Sequence, residues 1–315
     1  HALLSEGVEF QRLALVITDE QHRFGVGQRT ALAKKGGFPH TLVMSATPIP
    51  RTLALMIYGD LDVSVLDELP PGRQPVETYL IDPAKRRRAF GYIQKHIDAG
   101  RQAYIVCPLI EENESDMASV SAYAEIVRGY FGDMPVGILH GRMKPKEKDA
   151  VMADFSAGRT KLLLSTTVVE VGVDVPNAVI MMIENAERYG LSQLHQLRGR
   201  VGRGQHKSTC ILVTDAQNEE AVERLRMFCK TTDGFKVADE DLRLRGPGDF
   251  FGERQHGLPK LKIADMMNDM QVLREAQDCA RGLLERDPAL DDPALRGLRA
   301  EMRRLFAASG GTVTL

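Results

Sequence analysis

The chain has 315 residues, of which 43% are hydrophobic and 27% are charged, and its formal net charge at pH 7 is -2. This composition is typical of a folded protein of about two or three domains, and it argues against disorder and fibrous architectures. The net charge does not indicate nucleic-acid binding. Phosphate contacts, however, depend on local clusters of Lys and Arg rather than on the overall sum.

Basic clusters occur at residues 85–88, at residues 198–207 and between residues 243 and 262. A solvated helix face is an equally good interpretation of the first cluster. The four cysteines form no C-x-x-C pair, so neither a zinc site nor a disulfide framework is predicted. Scattered cysteines of this kind fit reduced thiols, and we expect a cytoplasmic protein. No apolar run approaches the ~18 residues that a membrane span needs, and no signal-peptide pattern is found.

Two apolar runs organise the first 70 residues, Leu13–Thr18 and Thr41–Met44, and each ends in a polar, turning segment. Short apolar runs of this kind are typical of parallel strands in an open α/β sheet. The segment Pro70-Pro71-Gly72-Arg73 then predicts an interdomain hinge.

Strands and helices alternate from Thr78 to about Thr214, which predicts βαβ units around a second parallel sheet. The predicted strands are Thr78–Ile81, Ala103–Cys107, Val136–Leu139, Leu162–Ser165, Val179–Ile183 and Cys210–Val213. The predicted helices between them are Pro83–Asp98, Ser115–Tyr130, Pro145–Ser156 and Ser192–Val201.

After Asp215 charged amphipathic stretches dominate, interrupted by a glycine-rich segment at residues 245–252. The tail predicts two helices, Ile263–Asp287 and Pro293–Ala308. We therefore expect three domains, at residues 1–70, 71–215 and 216–315.

An acidic pair, Asp19-Glu20, follows the first apolar run directly. A strand that ends in this pair suits a nucleotide-hydrolysing site, because ligands bind at the carboxyl edge of open α/β sheets. Asp19 would hold Mg²⁺ through water, and Glu20 would orient or deprotonate the attacking water. Taken alone, the same residues fit an ordinary strand-end turn.

The context of the pair decides between these interpretations. Asp19-Glu20-x-His22 is followed by Ser45-Ala46-Thr47, and this order resembles motifs II and III of superfamily 2 helicases, especially the RecG family and its relative, the transcription-repair coupling translocase. The resemblance places His22 with Asp19 at the nucleotide. It gives Ser45 and Thr47 the task of coupling the nucleotide site to nucleic acid.

Further segments resemble motifs IV to VI in the family's order. They are residues 106–112, residues 139–143 with Gly141 and Arg142, residues 165–176, and residues 193–204. The resemblance implies nucleic-acid contact or coupling by Gly141, Arg142, Thr166, Thr167 and Glu170. It implies nucleotide contact by Gly172, Asp174 and Gln196. Gly141 and Arg142 fit ordinary turn chemistry equally well.

Arg200 and Arg203 lie three residues apart, on one face of a helix or at its end. A pair of guanidinium groups stabilises charge on a transferring γ-phosphoryl group, an effect worth about 10³–10⁵ in rate for arginine fingers. We therefore assign both arginines to the transition state of ATP hydrolysis.

Residues 241–257 resemble the translocation element shared by the RecG family and the transcription-repair coupling translocases, with Arg245, Arg254 and Gln255 at its polar positions. Residues 67–73 favour the RecG family. The implied fold is α/β, with two RecA-like parallel-sheet domains, the first truncated, and a C-terminal helical translocation module.

The resemblance implies ATP and Mg²⁺ as cofactors and branched double-stranded DNA, such as forks and four-way junctions, as the partner. It also implies a monomer at the bacterial nucleoid, with single-stranded-DNA-binding protein as a further partner and no membrane association. No G-x-x-x-x-G-K-[ST] phosphate loop occurs in the sequence, so we expect that loop upstream and the chain alone to be inactive. The alternatives are a transcription-repair coupling motor and a nucleic-acid-binding scaffold without ATPase activity.

Overall fold

A computed structural model describes residues 3, 5, 7–20, 35, 39–45, 64–70, 72–107, 116–166, 174–251 and 269–308. The chain divides into two compact units, His1–Ile49 with Val65–Ala238, and Pro50–Ser64 with Asp239–Leu315. The domain boundaries at residues 70 and 215 stay predictions.

A small parallel sheet comes first in the chain. It pairs β1 (Leu15–Thr18) with β2 (His40–Val43), and its register sets Thr18 opposite Val43. Both strands therefore end at the same edge. Asp19 and Ser45 follow there, as the apolar runs predict.

A six-stranded sheet forms the centre of the first unit. Its strands are β3 (Val76–Ile81), β4 (Gln102–Val106), β5 (Val136–Leu139), β6 (Leu162–Ser165), β7 (Ala178–Ile183) and β8 (Ser208–Val213). They are all parallel, in the order β3-β8-β7-β4-β6-β5. The predicted parallel α/β architecture is confirmed.

Helices cover both faces of this sheet, as parallel strands require. They are α1 (Arg86–Asp98), α2 (Asp116–Phe131), α3 (Pro145–Ser156), α4 (Leu191–Arg198), α5 (Glu219–Lys230) and the start of α6 (Gly234–Phe251). Alternate residues of β4 enter different cores: Tyr104 and Val106 pack with helices α3 to α5, and Ala103 and Ile105 pack with α1 and α2.

Small shifts of bounds occur in the predicted helices: residues 83–85 of the predicted Pro83–Asp98 form a 3-10 turn before α1, and α2 is one residue later at each end than predicted. Two further helical predictions differ more. Helix α4 ends at Arg198 instead of Val201, because Gly199 closes it with a backbone bond from its N–H to the carbonyl of His195. Helix α6 runs to Phe251, so its backbone passes without a break through most of the glycine-rich segment that the sequence suggested would interrupt the helices. Local propensity is a weak guide to such positions, and tertiary context overrides it.

The second unit contributes two further helices in its described part, α7 (Met270–Arg286) and α8 (Arg296–Ala308). A short 3-10 turn, Pro293–Leu295, precedes α8, and its N-cap Asp292 accepts a hydrogen bond from the backbone N–H of Ala294. These helices correspond to the two predicted for the tail.

Candidate functional site

The acidic pair lies at the carboxyl edge of the small sheet. Asp19 is exposed, and its Oδ1 accepts a hydrogen bond of 2.8 Å from the backbone N–H of Glu20. Glu20 has a φ of 51°, a left-handed backbone conformation that is uncommon for residues other than Gly. Ser45 is exposed at the same edge. His22 and Thr47 lie outside the described residues.

The carboxyl edge of the six-stranded sheet carries three more predicted residues. Gly141 and Arg142 are exposed, and the Gly141 carbonyl accepts a 2.7 Å bond from Lys148 Nζ. Thr166 is only 2% exposed, and its backbone N–H donates to the carbonyl of Leu139 at 3.2 Å. Strands β5 and β6 thus bring Gly141 and Thr166 to one edge. Thr167, Glu170 and Gly172 lie outside the described residues.

The predicted translocation element falls only partly within the structure. The backbone of Arg245 lies in α6. Arg254 and Gln255 lie outside the described residues. The contacts of this element with DNA therefore stay a prediction.

Residues 199–204 form a turn that follows α4, and we call them the arginine turn. Leu191, Leu194 and Leu197 anchor the preceding helix because their spacing of three buries them on one face. The backbone N–H of Arg200 then donates to the Leu197 carbonyl at 3.0 Å. Arg200 and Arg203 therefore lie beyond the helix end, and half-buried Gln196 lies one turn before Arg200.

Two glycines fix the arginine turn against other segments. Gly202 has a φ of +77°, and its N–H donates to Ser208 Oγ at 3.1 Å. At Gly204 a Cβ would lie 2.4 Å from the carbonyl oxygen of Pro176. The turn therefore packs closely against residues 174–176, which resemble the end of motif V. Any residue with a Cβ at position 204 would prevent this close approach.

Charged side chains cluster around the backbone carbonyl of Gly199. Arg203 Nε donates to this oxygen at 3.0 Å, and Arg203 Nη1 lies 3.6 Å from Asp174 Oδ1. Arg73 Nη2 donates to the same carbonyl at 3.3 Å. Burial and the charge of Arg203 lower the pKa of Arg73, and Asp174 opposes that shift.

The same arginine charges also affect Tyr104, a buried residue of β4. Burial raises its pKa to about 12, and the charges of Arg200 and Arg203 act in the opposite direction. Arg200 and Arg203 thus both act electrostatically on Tyr104, the middle residue of β4. Of the predicted residues, the structure brings Arg200, Arg203 and Asp174 into one group.

Arg198 belongs to the core rather than to this group. It is 3% exposed and donates to the carbonyls of Phe228 and Thr231 at 3.1 and 2.8 Å. Sequence reasoning missed this role, and it also missed Arg73. Two sequence signals included Arg73: the Pro-Pro-Gly-Arg string, which predicts a turn, and the resemblance of residues 67–73 to the RecG family. Neither predicts its contact.

The described residues contain no group of three or more His, Cys, Asp or Glu side chains that could hold a metal ion. None of the helices in this part of the chain has the length and apolarity to cross a bilayer.

Comparisons with known proteins agree with the arrangement of these segments. A family model described as the helicase conserved C-terminal domain matches residues 85–205. A second, described as ATP-dependent DNA helicase RecG, domain 3, C-terminal, matches residues 231–308. The chain is 51% identical to the ATP-dependent DNA helicase RecG of Bacillus subtilis over 312 residues, which cover 98% of this chain and 46% of that relative.

The chain belongs to the RecG family of ATP-dependent DNA helicases. It is also 52% identical over 280 residues to RecG of Thermotoga maritima, covering 88% of this chain and 36% of that protein. The chain thus spans less than half the length of these relatives.

A solved structure of RecG bound to a three-way DNA junction superposes with a TM-score of 0.68 at 49% identity, covering 87% of this chain and 35% of that one. Mss116p bound to single-stranded RNA and AMP-PNP superposes at 0.54 with 19% identity, covering 73% and 49%, and this likeness shows the helicase fold alone. The predicted RecG resemblance and RecA-like fold are confirmed.

The RecG domain 3 match begins at Thr231, the residue whose carbonyl accepts a hydrogen bond from Arg198. The helicase match ends at Gln205, immediately after the arginine turn. Arg198 therefore joins the end of the helicase segment to the first residue of the RecG-specific segment.

Proposed function

We propose that this chain is the motor portion of an ATP-dependent double-stranded DNA translocase and helicase that remodels branched DNA, such as stalled forks and four-way junctions, in recombination and repair. The observation that carries the proposal is the arginine turn. Gly202, Gly204 and the carbonyl of Gly199 hold Arg203 beside Asp174, with Arg200 three residues earlier. Membership of the RecG family supports the choice of DNA.

Hydrolysis needs positive charge at the γ-phosphoryl group while water attacks phosphorus and the bond to ADP breaks. Arg200 and Arg203 supply that charge from a fixed turn, so little reorganisation is required at the moment of reaction. Glu20 accepts a proton from the attacking water through its carboxylate. Gln196 and Asp174, with His22 and Gly172, contact the nucleotide in this proposal.

The acidic edge suits a hard divalent cation. Asp19 is exposed directly after β1, and carboxylate oxygen is a ligand that Mg²⁺ prefers, often through water. When bound with ATP, Mg²⁺ neutralises charge on the phosphates. Asp19 is the residue of the described part that would hold it.

DNA contact falls to the carboxyl edge of the six-stranded sheet. Gly141 and Arg142 are exposed there, and a glycine lets backbone approach phosphate while arginine adds charge. Thr166, Thr167 and Glu170, with Ser45 and Thr47, couple this edge to the nucleotide. The ATP-driven movement is transmitted to duplex DNA through Arg245, Arg254 and Gln255 of the translocation element. We propose a monomer at the nucleoid that works with single-stranded-DNA-binding protein.

The chain lacks a phosphate-loop motif, so we propose that it does not hydrolyse ATP by itself. The test compares it with an extended chain, in which a first-domain segment that carries a G-x-x-x-x-G-K-[ST] loop is joined ahead of residue 1. We expect fork-stimulated ATPase activity and fork unwinding from the extended chain only. Comparable hydrolysis by the 315-residue chain would contradict the proposal.

The Glu20→Gln variant of the extended chain should bind forked DNA normally and lose hydrolysis. Unimpaired hydrolysis would remove Glu20 from the mechanism. Fork binding without hydrolysis by either chain would favour the nucleic-acid scaffold. Displacement of a stalled RNA polymerase, with no action on forks, would favour the transcription-repair coupling motor.

A further inference from the structure

The linker residue Arg73 makes an unexpected contact with the arginine turn. The backbone N–H of Arg73 donates to the Pro70 carbonyl at 3.2 Å, and Gly72 has a φ of +82°. This tight turn precedes β3 and directs Arg73 to the Gly199 carbonyl, 126 residues along the chain. A neutral donor would satisfy that oxygen, so a charged one needs a further explanation.

The Gly199 carbonyl is already occupied by a second guanidinium. Arg203 Nε donates to it at 3.0 Å, while Arg73 Nη2 donates at 3.3 Å. The two guanidinium groups carry like charges and repel each other. The carboxylate of Asp174 lies 3.6 Å from Arg203, but this ion pair is partly exposed, so solvent screening weakens it. The repulsion is consistent with the lowered pKa of Arg73, whose first cause is burial.

The rest of the linker end supports the same turn. A Cβ at Gly202 would lie 2.7 Å from Val76 Cγ2 and 3.4 Å from the Gln74 carbonyl oxygen. Arg73, Gln74 and Val76 therefore lie against the arginine turn at Gly199 and Gly202, and Arg73 is the charged residue among them. Displacing this segment must displace the turn or break these contacts.

We propose that Arg73 is a positioning residue for ATP hydrolysis, which holds the Gly199 carbonyl and thereby sets the direction of Arg203. The proposal rests on the proposed function of Arg203. Arg73 binds the base of the turn and acts through Arg203. Its repulsion keeps the Arg203 guanidinium directed away from the linker and towards the position where phosphate charge develops.

The proposal predicts a specific kinetic signature in the extended chain. Arg73→Ala should lower kcat about tenfold or more, because small misplacement of a catalytic group is costly, while KM for ATP changes less. In an Arg203→Ala background the same change should have no further effect, since Arg73 acts through Arg203. Arg73→Gln, which keeps a donor, should recover part of kcat. Arg159→Ala, which breaks an exposed ion pair with Asp154, is the control.

A second measurement uses the 315-residue chain without nucleotide. Amide hydrogen exchange across residues 199–204 should be faster in Arg73→Ala than in wild type and Arg159→Ala, with Arg73→Gln between them. An unchanged exchange rate, or an Arg73→Ala loss that multiplies fully with Arg203→Ala, would overturn the inference. If the extended wild type fails to hydrolyse ATP, the proposed function fails, and the exchange measurement alone decides whether Arg73 holds the turn.

Discussion

The guanidinium of Arg198 lies 4.0 Å from the ring centroid of Phe228 and donates to the carbonyl oxygen of that same residue at 3.1 Å. It donates again to Thr231 at 2.8 Å. One side chain thus satisfies carbonyls at and just beyond the carboxyl end of α5 and stacks on the aromatic ring in the last turn of that helix. A cation suits this position because the carboxyl end of a helix carries partial negative charge.

Replacing Arg198 should therefore destabilise the unit. Arg198→Met keeps much of the volume but leaves two carbonyls without their donor, and we expect a loss of about 2–4 kcal/mol in the free energy of unfolding. Urea unfolding measures this loss. Arg159→Met, at an exposed pair, should change stability by less than about 0.5 kcal/mol. Equal effects of the two variants would contradict the assignment of Arg198 to the core.

His195 should make stability depend on pH. Burial, with the charges of Arg198 and Arg73, lowers its pKa from 6.5 to about 4. Arg198 Nη2 lies 3.2 Å from His195 Nδ1, and arginine can only donate, so Nδ1 must be unprotonated. Between pH 6.5 and 4 the unfolded chain binds more protons than the folded one, so stability falls as pH falls through this window.

We expect this contribution to reach about 2–3 kcal/mol by pH 4, after allowance for the partial exposure of His195. Urea unfolding of wild type and His195→Gln at pH 7 and pH 4.5 measures it, and the variant should lose less stability on acidification. His206→Gln, at an exposed residue, is the control and should retain the wild-type difference. A variant as acid-sensitive as wild type would exclude His195 as the cause.

Sequence periodicity predicted the regular elements well where their ends carry local signals. The bounds of β5, β6 and α3 agree with the prediction, because short apolar runs stop at polar residues and Pro145 occupies the first turn of α3. The predicted end of α4 was wrong because Val201 continues the apolar pattern. Val201 is buried, but in the arginine turn rather than in a helix.

The residues of the candidate site likewise divide into those that a local sequence signal predicts and those that it does not. Asp19, Arg200, Arg203 and Asp174 stand in motifs that sequence order alone reveals. Arg73 and Arg198 do not, because their partners lie 126 and 30 residues away and are backbone carbonyls, which have no side-chain identity. Only the fold brings such pairs together.

Glu184 should contribute strongly to the stability of the first unit. It is 2% exposed after β7, accepts two bonds from Arg86 at 2.9 and 2.8 Å, and accepts a third from Tyr123 Oη at 2.5 Å. Glu184→Gln leaves the partly buried charge of Arg86 without its counter-ion, and we expect a loss of about 2–4 kcal/mol. Glu125→Gln, in an exposed pair with Arg128, is the matched control. Urea unfolding midpoints that coincide for the two variants would refute the prediction.

The close contact at Gly204 leads to the last prediction. The Cβ of alanine there would lie 2.4 Å from the Pro176 carbonyl oxygen, which is backbone and moves only with its segment. At Gly202 the nearest atom, 2.7 Å away, is the end of the Val76 side chain, but the φ of +77° adds strain. We expect Gly204→Ala to lower the free energy of unfolding by about 1–3 kcal/mol.

Gly129 supplies the matched comparison. It lies in α2 with nothing within 4 Å of the position that a Cβ would occupy, so alanine there should stabilise the helix by up to about 1 kcal/mol. In the extended chain, Gly204→Ala should also lower kcat for ATP, because the arginine turn must move away from residues 174–176, whereas Gly129→Ala should not. If Gly204→Ala left both stability and kcat unchanged, the turn would not be fixed against Pro176, and the position of Arg203 would need another support.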